Sequence, residues 1–375
     1  MFSDRITSIS PSGVREIFEL VGGEAINLGL GEPDFQPPEE AREALKDALD
    51  MGMNKYGPTC GLVQLRESIA SYNQKYCRSI TPDNVVVTAG ATEALLVISQ
   101  SLFQQCDQVL IPEPGFVLYH PHVVLSGARP VPYGLREEEG FQPDVDEILE
   151  LITPATKGII VNSPSNPTGG VISEKTYKAL VDISKDKGLW IISDEVYDNF
   201  IYEGRHHSFC DHLENSIVVN SFSKSLAVTG WRIGYLLANE EALTQLSKMH
   251  YYTVACPPTP IQHAVHRAMP TMERFLDQVI PVFDRRRRLM VDLLNEIPGL
   301  RCELPRGAFF AFPSYDLGMG STELAKRIGR EGVICSPGAA FGPGGEGHLR
   351  FSYATSEENI ERGIAIIARL MRSVR

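Results

Sequence analysis

The chain has 375 residues, more than one hydrophobic core usually serves, so a large domain with a smaller companion is expected. Its 43% hydrophobic and 22% charged residues are those of an ordinary globular protein, and a net charge of −12 repels a polyanion, which argues against nucleic-acid binding. No window approaches a membrane-spanning apolar run, residues 1–10 lack a signal-peptide core, and the seven cysteines stand without Cys-x-x-Cys pairs, so a cytoplasmic protein with no membrane partner, no disulfide framework and no metal site is expected.

In chain order, short continuous apolar runs alternate with helical patterns between about 85 and 240, the mark of an α/β fold with a mostly parallel sheet covered by helices on both faces. The predicted strands are Val85–Val87, Gln108–Ile111, Gly158–Val161, Leu189–Ile192, Ile217–Val219 and Ile233–Leu237. From about 275 the pattern turns to long helices with strands at Ala308–Phe312 and Leu349–Tyr353, a smaller α+β domain. The basic run Arg285–Arg288 sits in an amphipathic pattern and reads as the solvated face of a long helix. His206, His207 and His212, and His263 with His266, have no carboxylate or thiolate cluster beside them and read as packing or surface residues.

Polar motifs follow the predicted strands: Gly90 after the first, Asn166 after the third, Asp194 after the fourth, and Ser221 to Lys224 after the fifth. Ligands in open α/β sheets collect at the carboxyl ends of strands, so these separated motifs are expected to meet in one pocket. Thr88-Ala89-Gly90-Ala91-Thr92 leads from a strand into a helix, where the N–H groups of Ala91 and Thr92 and the Thr92 hydroxyl can face an anion or simply start the helix. A lysine among small hydroxyl residues, Lys224, with Arg232 eight positions on, suits an amine held as a Schiff base beside an anchored phosphate.

The run from Ser221 to Gly234 resembles the lysine signature of the class I/II aminotransferases of the aspartate aminotransferase fold. Asn166-Pro167-Thr168-Gly169, Asp194-Glu195-Val196-Tyr197 and Arg350 in His348–Tyr353 follow in that family's order, so the resemblance covers the chain from Asn27 to the C-terminal helix. It implies a homodimer with shared active sites and pyridoxal 5′-phosphate as cofactor, with Lys224, Asp194 and Tyr197 as catalytic residues. The phosphate would lie among Gly90, Ala91, Thr92, Ser221, Ser223, Arg232 and, from the neighbouring subunit, Tyr56. Asp194 would hold the pyridine nitrogen, Tyr197 and Asn166 the phenolic oxygen, and Phe116 would stack on the ring. Gly115 stands where relatives commonly carry tyrosine. Arg350, helped by Asn166 and the backbone near Gly31, would bind the substrate α-carboxylate.

The resemblance also implies that residues 1–45 join the small domain of 276–375, leaving 46–275 as the cofactor-binding domain. The expected activity exchanges an amino group between an α-amino acid and a 2-oxo acid such as 2-oxoglutarate by a ping-pong cycle. Aspartate is the favoured donor, with alanine and aromatic amino acids open. Thr92 stands where some aspartate-specific relatives carry a lysine, which weakens the aspartate assignment, and Arg15 could substitute for it. A carbon–sulfur β-lyase on the same fold is the alternative; a cofactor-sensing transcription regulator would need a DNA-binding domain for which the chain leaves little room.

Overall fold

The large sheet draws its strands from seven segments: β1 (Val85–Thr88), β2 (Gln108–Glu113), β3 (Arg129–Gly134), β4 (Thr156–Asn162), β5 (Trp190–Asp194), β6 (Ser216–Ser221) and β7 (Gly234–Leu237). The computed structural model describes residues 2–11, 13, 17 and 25–373. Their order is β1-β7-β6-β5-β4-β2-β3, with β7 antiparallel to both neighbours and the remaining pairs parallel.

Alternate residues of each strand enter different cores. Val85 and Val87 pack on one face and Val86 on the other; Ile159 and Val161 oppose Ile160, and Val218 opposes Ile217 and Val219. A strand buried on both faces must be apolar throughout, which is why these segments read as continuous runs. The exception, β3, was not expected from the sequence. Its Arg-Pro-Val-Pro-Tyr-Gly composition carries two prolines that cannot donate to a ladder, and it lies at the sheet edge against β2 alone.

Parallel strands bring Thr88, Glu113, Asn162, Asp194 and Ser221 to one edge of the sheet. Because β7 runs the other way, its first residue, Gly234, starts at that same edge, and so does Arg232 just before it. A side chain at Gly234 would lie 2.7 Å from the Asn220 oxygen and 3.0 Å from the Ala91 nitrogen, so glycine alone allows the strand this close to the turn at Gly90.

Towards the C-terminus, Phe310–Ala311, Leu349–Ser352 and Ser336–Pro337 form a three-stranded antiparallel sheet with Leu349–Ser352 in the middle. The expected strand at Ala308–Phe312 is reduced to two residues, Ala308 having a positive φ of 56° that breaks the extended run. Ile26–Asn27 pairs in parallel with Val333–Ile334, and Ser352 N–H donates to Leu28 O at 2.7 Å, tying the N-terminal segment to this sheet. Helix Glu39–Asp50 runs unbroken through residue 45 and packs on helix Thr259–Ala268.

The basic run departs from expectation. It lies in helix Met272–Asn295, but successive residues turn by about 100°, so four in a row cannot share one face. Arg285 and Arg288 face solvent, whereas Arg287 is fully buried, donating to Pro305 O at 2.6 Å and Asp284 Oδ1 at 2.8 Å. Arg286, also buried, grips Asp34 with two bonds of 2.7 and 2.9 Å. Among the histidines, His206 packs beside Glu195 (Nε2 to Oε2, 2.8 Å), His207 stacks on Tyr177, and His266 bonds Ser68. No helix among the described residues is long and apolar enough to cross a membrane.

Candidate active site

At the carboxyl edge of the sheet lies a cavity of about 590 Å³. It collects Gly31, Ala91, Thr92, Phe116, Asn166, Asp194, Tyr197, Ser221, Ser223, Lys224, Arg232 and Arg350 from segments up to 319 positions apart in the chain (350 less 31). Gly90 caps the helix Ala91–Leu102 with a φ of 83°, leaving the first-turn N–H groups of Ala91 and Thr92 at the cavity wall without intrahelical acceptors. Ser221 ends β6 and caps the short helix Phe222–Ser225 by accepting the Ser223 N–H; its hydroxyl lies 2.9 Å from Ser223 Oγ. Arg232 Nη1 donates to Thr229 O at 2.8 Å, and its other terminal nitrogen lies against Gly90. Helix N-terminus, two hydroxyls and a guanidinium thus surround one small volume, the environment a dianion requires.

Lys224 reaches across from the third residue of that helix to donate from Nζ to Gly31 O at 2.6 Å. A side chain at Gly31 would meet the Phe310 ring at 2.5 Å, so only glycine lets this carbonyl approach. Burial of the amine pushes Lys224 down to about 8; Arg350 and Arg232 push the same way, and Glu32 and Asp194 oppose them. A substantial neutral fraction near neutrality makes the amine a competent nucleophile and base.

Asp194 is 2% exposed and forms no ion pair among the described residues. Burial raises its carboxyl to about 6, against the stabilising Tyr119 hydroxyl (2.8 Å to Oδ2) and the Val196 N–H. Arg350 is the opposite case. It is 5% exposed, sandwiched near the rings of Phe310 (4.5 Å) and Phe341 (4.8 Å), and pushed down to about 10 by burial. Nη1 donates to Asn166 Oδ1 at 2.8 Å, and Nη2 to Gly29 O and Ser336 Oγ, but among the described residues Nε has no acceptor and no carboxylate faces the group. The cavity therefore holds a buried anion wanting a cation and a buried cation wanting an anion.

Asn166 is fixed by its own N–H, which donates to Asn162 Oδ1 at 2.8 Å, while Asn162 Nδ2 donates to Asp194 O. Tyr197 is buried with its ring edge-on to Phe309 and Phe310, and burial raises its phenol pKa. Two expected residues stand apart. Tyr56 is 90% exposed and lies outside its own chain's cavity, and Arg15 lies outside the described residues.

Sequence reasoning missed Tyr119, Asn162, Thr229, Phe310 and Phe341. Tyr119 follows Phe116 by three residues and meets it edge-on at 5.7 Å, and Asn162 precedes Asn166 by four; both spacings were visible. Thr229, which donates to Glu32 Oε1, and the two phenylalanines carry no local signal, because their partners come from distant segments. Gly115 brings its backbone rather than a side chain, its N–H donating to Phe341 O at 2.9 Å.

The family model described as aminotransferase class I and II matches residues 23–367. A probable aspartate aminotransferase from Methanocaldococcus jannaschii is 40% identical, covering 98% of this chain and 99% of that protein. An aromatic-amino-acid aminotransferase from Thermococcus litoralis is 37% identical over 99% and 98%. A solved structure of Thermus thermophilus aspartate aminotransferase superposes with a TM-score of 0.94 at 32% identity, covering 99% of each chain. These relatives are transaminating enzymes, so the lyase alternative is set aside. With its sheet-edge lysine, buried aspartate and unpaired buried arginine in one cavity, the chain belongs to the class I and II aminotransferases and is a pyridoxal-phosphate-dependent transferase of amino groups.

Proposed function

We propose that the cavity around Lys224 transfers an amino group from L-aspartate to a 2-oxo acid such as 2-oxoglutarate by a ping-pong cycle. The observation that carries the reading is the pair of buried charges, Asp194 and Arg350, uncompensated among the described residues and lining the same cavity as an amine with lowered basicity. They fit the cofactor and the substrate respectively. Asp194 would pair with a protonated ring nitrogen, and the Arg350 fork with an α-carboxylate also met by Asn166 and the backbone near Gly31. Gly90, Ala91, Thr92, Ser221, Ser223 and Arg232 would hold the phosphate, Tyr197 and Asn166 the phenolic oxygen, and Phe116 one ring face. When bound, pyridoxal phosphate supplies the electron sink and carries the amino group between half-reactions. Lys224 takes the proton from the substrate carbon and returns it, and the aromatic wall of Phe310 and Phe341 keeps water from Arg350.

Aspartate is favoured by the names of the relatives. An aromatic donor is the second reading, supported by the Thermococcus relative and by the apolar lining of Leu30, Val117 and Phe341. The exposed Tyr56, with Tyr252 84% and Met51 62% exposed, supports a homodimer in which Tyr56 completes the partner's site. The N-terminal segment goes with the C-terminal domain through the Ile26–Asn27 strand; the unbroken helix Glu39–Asp50 moves the proposed boundary from 45 to about 38. Seven unpaired cysteines agree with a reducing cytoplasm. A panel of aspartate, alanine, phenylalanine and tyrosine as donors to 2-oxoglutarate tests the assignment. The highest kcat/KM should fall to aspartate, and an aromatic preference would replace it with the second reading.

A further inference from the structure

Glu93 and His250 form a buried pair that the reaction itself does not use. Glu93, 8% exposed, is the third residue of the helix that starts at Ala91. Its Oε2 accepts the Ala89 N–H at 3.0 Å, and its Oε1 lies 2.9 Å from Nδ1 of the fully buried His250. The other ring nitrogen of His250, Nε2, lies 2.9 Å from Thr59 O; a carbonyl only accepts, so Nε2 carries the hydrogen and the ring has one orientation. One polar chain thus runs from the turn under the Ala91 and Thr92 N–H groups, through helix Glu240–Val254, to the loop that carries Tyr56.

That loop is fastened on both sides of Tyr56. Lys55 O accepts from Thr259 Oγ1 at 2.9 Å, Cys60 O accepts from Val87 N–H at 3.0 Å, and Leu62 N–H donates to Gln262 Oε1 at 2.7 Å. Tyr56 itself is 90% exposed. A backbone pinned on both sides fixes the point from which the exposed aromatic side chain projects. A buried hydrogen-bonded pair contributes little net stability over apolar groups of equal volume, so its consequence here is geometric: one link sets two elements in register.

We propose that Glu93 and His250 are positioning residues that set the Gly90–Thr92 turn and the Tyr56 loop for binding a phosphate monoester. The inference rests on the phosphate site and shared dimer proposed above. Each pair then serves two sites, its own chain's turn and, through Tyr56, the partner's cavity. The alternative is a helix cap and a filled core, which would leave ligand selectivity unchanged.

The test compares binding of pyridoxal 5′-phosphate and of pyridoxal, which lacks the phosphate, to apoprotein of the wild type, His250→Phe and Glu93→Ala. Thermal melts of each apoprotein run alongside. Losing a hydrogen bond to a charged group should weaken the phosphorylated ligand about tenfold or more, while pyridoxal changes by less than about twofold. Should His250→Phe not fold, Glu93→Ala, which removes both acceptors, carries the same comparison. Equal losses for both ligands, or a lowered melting temperature with neither affinity changed, would overturn the proposal and leave the pair as core packing. A wild type that binds pyridoxal as tightly as its phosphate ester would instead overturn the phosphate reading on which the proposal stands.

Discussion

Replacing Asp194 by Asn should stabilise the apoprotein near neutral pH, and by an amount that depends on pH in a defined direction. Burial raises the carboxyl from 3.8 to about 6 in the folded chain. Between those values the folded state binds more protons than the unfolded state, so this group's contribution to stability falls as pH rises through the window and the cost is complete above about pH 6. A shift of about two units, at ~1.4 kcal/mol each, amounts to about 3 kcal/mol. Asparagine carries no charge and can still accept from Tyr119, while losing the weak 3.3 Å contact with Val196 N–H at a small cost that is independent of pH. About 1 kcal/mol of this cost is already present at pH 4.5, so the melting temperature of Asp194→Asn relative to wild type should rise by about 2–3 °C between pH 4.5 and 7.5 for a chain of 375 residues, at matched protein concentration. Added pyridoxal phosphate should reverse the order, since only the aspartate can neutralise a ring cation. A difference that is flat with pH, or that shrinks as pH rises, would refute the claim that Asp194 is a buried carboxylate awaiting a cation.

Lys224→Ala should abolish turnover yet still bind the cofactor; borohydride should fix cofactor mass on the wild-type chain and not on the variant. In the apoprotein, acylation of the Lys224 amine, followed by peptide mass, should rise with pH through a midpoint near 8 instead of 10.5, because only the neutral amine reacts. Arg350→Lys should lower kcat/KM for amino acid and 2-oxo acid alike by roughly 10- to 100-fold, since an ammonium cannot replace a planar fork; equal loss with substrates lacking the α-carboxylate would contradict it. Mixing Tyr56→Phe with Lys224→Ala subunits should restore activity above both parents, because one site in each hybrid is intact. A mixture no better than its separated parents, after exchange is confirmed by mass, would return Tyr56 to its own chain.

The sequence carried most of this site because the chemistry sits at strand ends. Strands buried on both faces announce themselves as apolar runs, and the polar residue that follows each one marks the edge where they converge, as Asn166, Asp194 and Ser221 show. The edge strand β3 was hidden because only Tyr133 of its six residues is fully buried and its prolines resemble a loop. Arg286 and Arg287 were hidden because their anchors, Asp34 and Pro305 O, are set by tertiary packing. Tyr119, Phe310 and Phe341 were missed for a related reason: aromatic residues in a sequence pattern look the same whether they fill a core or line a pocket, and only the fold distinguishes them.

The most direct measurement is a single half-reaction of the holoenzyme with L-aspartate and no acceptor. One oxaloacetate per site should be released with no ammonia, leaving the cofactor in its amine form, and turnover should resume only when 2-oxoglutarate is added. Continued turnover without an acceptor, accompanied by ammonia, would contradict transamination at Lys224.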